Sequence, residues 1–320
     1  MALALHSSKY LFSVLQTPLQ RSTTRRCRLN SFLKQSLRGW IFVLNSLADH
    51  PIPIATLVPQ APHYWAATDA SSQGLGGFWL PTTLVPDGQP VAWRLALPPD
   101  LKARLVSSQH HMGDITINDL ELAAVILGHS VQMSSVPPHP LLHTCIATDN
   151  TTAQAWLHNG SPTMTGPPAF LLRQLACDCR TWGCSLYPIY ASGVTNTIAD
   201  FLSRSFDLSD VDVLAPLQRL APVQPPWKLA TLPVSTICNM NCALSKRLPP
   251  EGFPQAELAM LIPPGTSGQS FATACVATPF SRSSMTLSPS FKYSLQGATG
   301  STHTALCQRS KGALTTNETV

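Results

Sequence analysis

Apolar and polar residues follow two rhythms along this chain, and the switches between them mark out its elements. Between Tyr64 and Arg204, short runs of apolar, β-branched and aromatic residues recur between turn-forming residues. They predict strands over 64–69, 75–80 and 90–96, a buried strand "LLHTCIATD" over 141–149, and a last strand "SLYPIY" over 185–190. Helical spacing predicts helices over 116–129, 151–158, 168–181 and 196–204, the first capped by Thr116 or Asn118. Gly74, Gly76 and Gly77 are expected to form the turn between the first two strands. Three strands, then helix, strand, helices, strand and helix indicate an α/β fold with a mixed sheet, placed in residues 61–206.

The flanks read differently. Residues 1–60 form a basic lead-in whose best helical phasing lies in "LNSFLKQSLRGWIFVLNSL". After about residue 210 the periodicity fades into Ser, Thr, Pro and small residues. Residues 207–320 are therefore expected to be a largely disordered tail, so both extensions are expected to be poorly ordered.

Charge and cysteine narrow the classes. No acidic residue precedes Asp49, against Lys9, Arg21, Arg25, Arg26, Arg28, Lys34 and Arg38, within a net charge of +5. Such an arm suits a polyanion, and its Arg/Ser-rich composition also fits a mitochondrial transit peptide. No run reaches the roughly 18 apolar residues of a membrane helix, so an intracellular, cytoplasmic or nuclear chain is expected. The nine cysteines include no CxxC pair. Cys177, Cys179 and Cys184, like Cys238 and Cys242, have spacings atypical of zinc sites, with no histidine nearby in sequence, and read as reduced structural thiols.

The chemistry lies in the acids. Of 16 acidic residues, nine fall between 65 and 205, and four of these stand in apolar surroundings. Asp69 ends the first strand, Glu121 sits in "LELAAVIL", Asp149 ends the buried strand, and Asp200 lies in "NTIADFL". Strand ends in an open α/β sheet point into one crevice, and Ala123, Ala124 and Gly128 would let the helix of Glu121 approach it. Carboxylates gathered there without Lys or Arg would repel and resist ionisation. A divalent cation resolves the conflict, and oxygen-only ligands select a hard ion, Mg²⁺ or Mn²⁺.

Four segments carry a family resemblance. "TDASSQGLGGFW", "INDLELAAVILG", "IATDNTTAQAWL" and "YASGVTNTIADFLSR" are similar, in order and approximate spacing, to the ribonuclease H domain attached to retroelement reverse transcriptases, especially of the DIRS and gypsy types. The likeness spans about 140 residues, and "GWIFVLNSLADHPIPIATLVP" resembles the connection that precedes that domain. It implies a ribonuclease H-like five-stranded mixed sheet flanked by helices. It also implies two metal ions held by Asp69, Glu121, Asp149 and Asp200, and hydrolysis of RNA in RNA–DNA hybrids. The family's "H-x-P-G" loop is here Tyr190 to Gly193, and no polymerase palm precedes the domain. The chain thus resembles a retroelement polyprotein fragment, or a gene derived from one, with a polymerase as possible partner. A nuclease and a catalytically silent hybrid-binding protein are both open at this point. An actin-like ATPase would need a second glycine-rich phosphate loop after residue 149, and none is seen.

Ser71, Ser72, Gln73, Asn150 and Thr151 stand beside these acids and suit contacts to 2′-hydroxyls and phosphates. They equally suit turn and helix-cap roles, Asn150 above all. Trp65, Trp79, Trp93 and Trp156 are expected in the core, and His110, His111 and His158 on the surface.

Overall fold

A computed structural model describes residue 24, residues 26–30, the pairs 33–34, 37–38, 40–41 and 44–45, and residues 60–247 except 138–141 and 161–165. The chain divides after Leu258 into two units, and every described residue belongs to the first. Within residues 1–60, Leu33 is buried and packs with Ala169.

The elements run β1 (Tyr64–Ala70), β2 (Gly74–Pro81), β3 (Val91–Ala96), α1 (Pro99–Lys102), α2 (Ile117–Ser135) and β4 (His143–Thr148). There follow α3 (Thr151–Asn159), α4 (Pro167–Trp182), β5 (Ser185–Tyr190), α5 (Thr197–Arg204), α6 (Leu214–Leu220), β6 (Lys228–Leu229) and α7 (Val234–Leu244). The strands form a mixed sheet in the order β5-β4-β1-β2-β3-β6. β1, β2 and β3 are antiparallel neighbours, whereas β4 lies parallel to β1 and to β5. A mixed α/β fold with a sheet flanked by helices is thus observed. The sheet has six strands rather than the expected five, because β6 pairs parallel with Val91 and Ala92 of β3.

Local chemistry explains the helix ends. Thr116 closes a capping box with Asp119: its hydroxyl accepts from the Asp119 amide at 3.3 Å, and Asp119 Oδ2 accepts from the Thr116 amide at 2.8 Å. Helix α2 runs past its expected end at 129 because Val131 and Met133 stay in the core and Gln132 Oε1 accepts from Thr144 of β4 at 3.0 Å. It stops at Val136, whose extended backbone suits the proline that follows. Gly160 and Gly183 end α3 and α4 in the left-handed region that glycine favours.

The glycines after Asp69 do not make the turn. Ser71 does: its hydroxyl accepts from the amides of Gln73 at 3.1 Å and Gly74 at 3.2 Å. Gly74, Gly76 and Gly77 lie inside β2, and none has positive φ. A Cβ at Gly76 would come within 2.5 Å of Leu202 and Ser203 backbone atoms, so α5 lies directly on β2. On α2, a Cβ at Gly128 would meet the Trp93 indole at 2.8 Å. Trp93 pairs with Gly77 and Gly76 with Arg94, and successive strand residues face opposite sides. Helices α2 and α5 therefore clasp the sheet from opposite faces. Trp79, Trp93 and Trp156 are buried as expected, with Trp65 only partly so.

The expected disordered tail differs over its first 41 residues (207–247), which fold. Helix α7 packs on α2 and α4, burying Met240, Ala243 and Leu244, and the Trp227 ring meets Phe78 edge-on at 5.6 Å. Arg94 donates to the carbonyls of Ser205 at 2.6 Å and Leu208 at 2.7 Å, and to Asp210 at 2.7 Å. These bonds carry no periodicity that a sequence would display. Residues 248–320 lie outside the described residues.

Replacing Gly76 by Ala forces α5 off the sheet, with an expected cost of about 1–3 kcal/mol. Denaturant unfolding of Gly76→Ala against the parent chain measures it, and unchanged stability would contradict the close approach.

Candidate metal centre

Parallel pairing of β1 with β4 puts the ends of both strands side by side, and the two acids arrive there by register alone. Asp69 lies in the last turn of the β1 pleat, one residue before its end, and Asp149 directly follows β4. Glu121 comes from the first turns of α2, beside the same strand ends. Ligand oxygens of Asp69, Glu121 and Asp149 all lie within 4.8 Å of one another. Asp69 and Glu121 are each only 4% exposed.

Asp69 and Glu121 are held by hydrogen bonds from residues distant in the chain. Ser203 of α5 donates its hydroxyl to Asp69 Oδ2 at 2.5 Å. Glu121 Oε1 accepts from the Ala70 amide at 3.3 Å, and its Oε2 accepts from Thr148 Oγ1 at 3.3 Å. Gly193 makes room for Asp149, since a Cβ there would sit 2.7 Å from Oδ2. Asn196 Nδ2 donates to the Thr68 carbonyl at 2.9 Å and ties the start of α5 to β1. No local pattern reports such partners, because each is far from its acid in the chain.

The electrostatics match this crowding. Burial, with Asp149 and Asp200 nearby, pushes Asp69 up to about 6 against the opposing hydrogen bond from Ser203. Burial and the Asp69 and Asp149 charges push Glu121 up to about 8. Burial also raises Asp149. Among the described residues, no Lys or Arg forms an ion pair with any of the three. The donor set is oxygen only, so the residues fit a hard divalent cation.

Asp200 is not one of this trio. Its side chain is 47% exposed and its Oδ1 accepts from Arg204 Nε at 2.6 Å. It remains near enough to raise both Asp69 and Asp149.

The expected substrate contacts divide. Ser71 is buried, donates to the Ser203 carbonyl at 2.6 Å and organises the turn, so its hydroxyl is committed within the fold. Asn150 caps α3 through the Ala153 amide at 2.9 Å, and its Nδ2 donates to Asn118 at 2.7 Å. Ser72, Gln73 and Thr151 are exposed. His110, His111 and His158 are exposed too.

The described cysteines are free thiols, and the structure adds a histidine beside two of them. His129 of α2 lies beside Cys179 and Cys184, although more than 45 residues separate them in the chain. Sequence distance concealed the histidine that packing supplies.

The chain matches no family model, no curated protein and no solved structure.

The raised carboxylates set the sign of a pH effect. Between the ordinary 4.5 of Glu121 and about 8, the folded chain keeps a proton that the unfolded chain has released. Asp69 acts in the same sense between 3.8 and about 6. Their contribution to metal-free stability is thus complete below these ordinary values and lost as pH rises through the folded ones. Thermal melts in EDTA are expected to fall between about pH 5 and 8.5, less steeply for Glu121→Gln, with Mg²⁺ or Mn²⁺ restoring the loss. Identical pH profiles for the parent and Glu121→Gln would contradict the crowded-acid description.

Proposed function

We propose that this chain carries a ribonuclease H-like centre that hydrolyses the RNA strand of RNA–DNA hybrids with two Mg²⁺ or Mn²⁺ ions. The observation that carries the reading is the convergence of Asp69, Glu121 and Asp149 within 4.8 Å at the ends of β1 and β4. The order of the four segments, "TDASSQGLGGFW" to "YASGVTNTIADFLSR", supports the same reading by resemblance.

Asp69, Glu121 and Asp149 would hold the ions, with Asp200 beside them. When bound, such ions supply an activated water and neutralise charge at the scissile phosphate. The remaining work belongs to the chain. Ser203 and Thr148 fix the orientation of Asp69 and Glu121, so the oxygens need not reorganise on binding. Ser72, Gln73 and Thr151 are exposed, and on this reading they would contact phosphates or 2′-hydroxyls. A polymerase of the same element is the partner class that would deliver the hybrid.

A second reading is a hybrid-binding protein without turnover. It is favoured by one observation, the Asp200–Arg204 ion pair, which engages the fourth acid with a cation at 2.6 Å.

The test is cleavage of an end-labelled RNA–DNA hybrid by the full chain. Cleavage with Mg²⁺ or Mn²⁺ that stops in EDTA is expected, as is a loss of about 10²-fold or more in Asp149→Asn and Glu121→Gln with the fold retained. Folded parent protein that binds hybrid in a salt-dependent manner, yet cleaves nothing under either ion, would select the silent reading.

A further inference from the structure

Eight residues beyond Glu121 on α2, about 12 Å by helical rise, lies a second cluster of different chemistry. His129 is 0% exposed. Its Nε2 stands 3.3 Å from Cys184 Sγ and 3.8 Å from Cys179 Sγ. All three ligand atoms lie within 4.8 Å of one another. The two sulfurs converge because Cys179 occupies the last turn of α4 and Gly183 turns the chain back in the left-handed region. The Cys184 amide donates to the Cys179 carbonyl at 3.2 Å across that turn.

Hydrogen bonding does not account for the burial of this imidazole. Thiols are weak partners, and Nδ1 of His129 has no hydrogen-bond partner among the described residues. Among the described residues Nε2 meets only the two sulfurs, and an ion held between the three atoms would engage it more strongly than a thiol does.

We propose that His129, Cys179 and Cys184 form a site for a thiophilic cation of the zinc class, separate from the carboxylate centre. Two cysteines and a histidine are soft and borderline ligands, whereas the carboxylate trio offers hard oxygens only. Each thiol releases its proton to solvent on coordination. A dication with two thiolates and a neutral imidazole then carries no net charge, which suits a site closed off from water. Asp178 is not a ligand: its oxygens accept from Ser130 Oγ and from Gln174 Nε2, the latter at 2.8 Å. The bound ion staples α2 to the α4–β5 turn, and so steadies the helix that presents Glu121.

Co²⁺ separates the two sites, since only thiolate ligands give a sulfur-to-cobalt charge-transfer band. The full chain, reduced and stripped by chelator, is titrated with Co²⁺ and then with Zn²⁺. A near-ultraviolet band that saturates at one equivalent and is displaced by Zn²⁺ is expected. It should persist in Glu121→Gln and vanish in the C179S/C184S double variant. No band from the folded parent chain in excess Co²⁺ would overturn the site, whatever the nuclease assay gives. So would a band that survives in the double variant, which would belong to thiols elsewhere, or a Cys179–Cys184 disulfide found by peptide mapping of the isolated chain.

Discussion

Mutual repulsion among three crowded acids, two of them buried, is the interaction that the packing of this fold opposes. Asp69, Glu121 and Asp149 arrive from two strands and a helix, and each is more favourably protonated here than in water. Nothing in the apolar core rewards that convergence. It persists because rigid elements impose it: parallel pairing of β1 and β4 fixes two of the acids, and α2 pressed on the sheet fixes the third. The Gly128–Trp93 and Gly76–Leu202 contacts are what permit the two helices to come so close. A site held against its own electrostatics by packing is preorganised for cations, which cancel the repulsion without moving the scaffold.

The acids were legible in the sequence because each violates its immediate surroundings. A lone carboxylate within "LELAAVIL" or at the end of "LLHTCIATD" is a local anomaly, and local anomalies survive without coordinates. Strands and helices between residues 64 and 204 were legible for the same reason, through short-range periodicity. What escaped depends on contacts between distant parts of the chain. Ser203, Thr148 and Asn196 look like ordinary helix and strand residues until α5 is seated on β1 and β2. The glycines of β2 look like a turn, since sequence alone does not separate a glycine required by backbone conformation from one required by a neighbour's proximity. His129 and its cysteines are read apart because the contact between α2 and α4 is invisible in one dimension.

The two clusters on α2 illustrate how one helix serves different chemistries. Its first turns carry an oxygen donor toward the strand ends, while its later turns carry a nitrogen donor toward two sulfurs. Oxygen-only and sulfur–nitrogen donor sets differ in softness, so the two clusters suit different ions. Between them lie Ala123, Ala124 and Val125, all fully buried, so this part of the helix is packed into the core.

Strand β6 is only two residues long, yet it changes what the outer border of β3 exposes. Together with the Arg94 tether and Trp227 against Phe78, it shields the outer border of β3, which would otherwise offer unpaired backbone groups to other chains. The four acidic motifs are complete by Arg204, but the cover of β3 is supplied by residues 205–229. Without that segment the border of β3 would be a seam open to strand pairing.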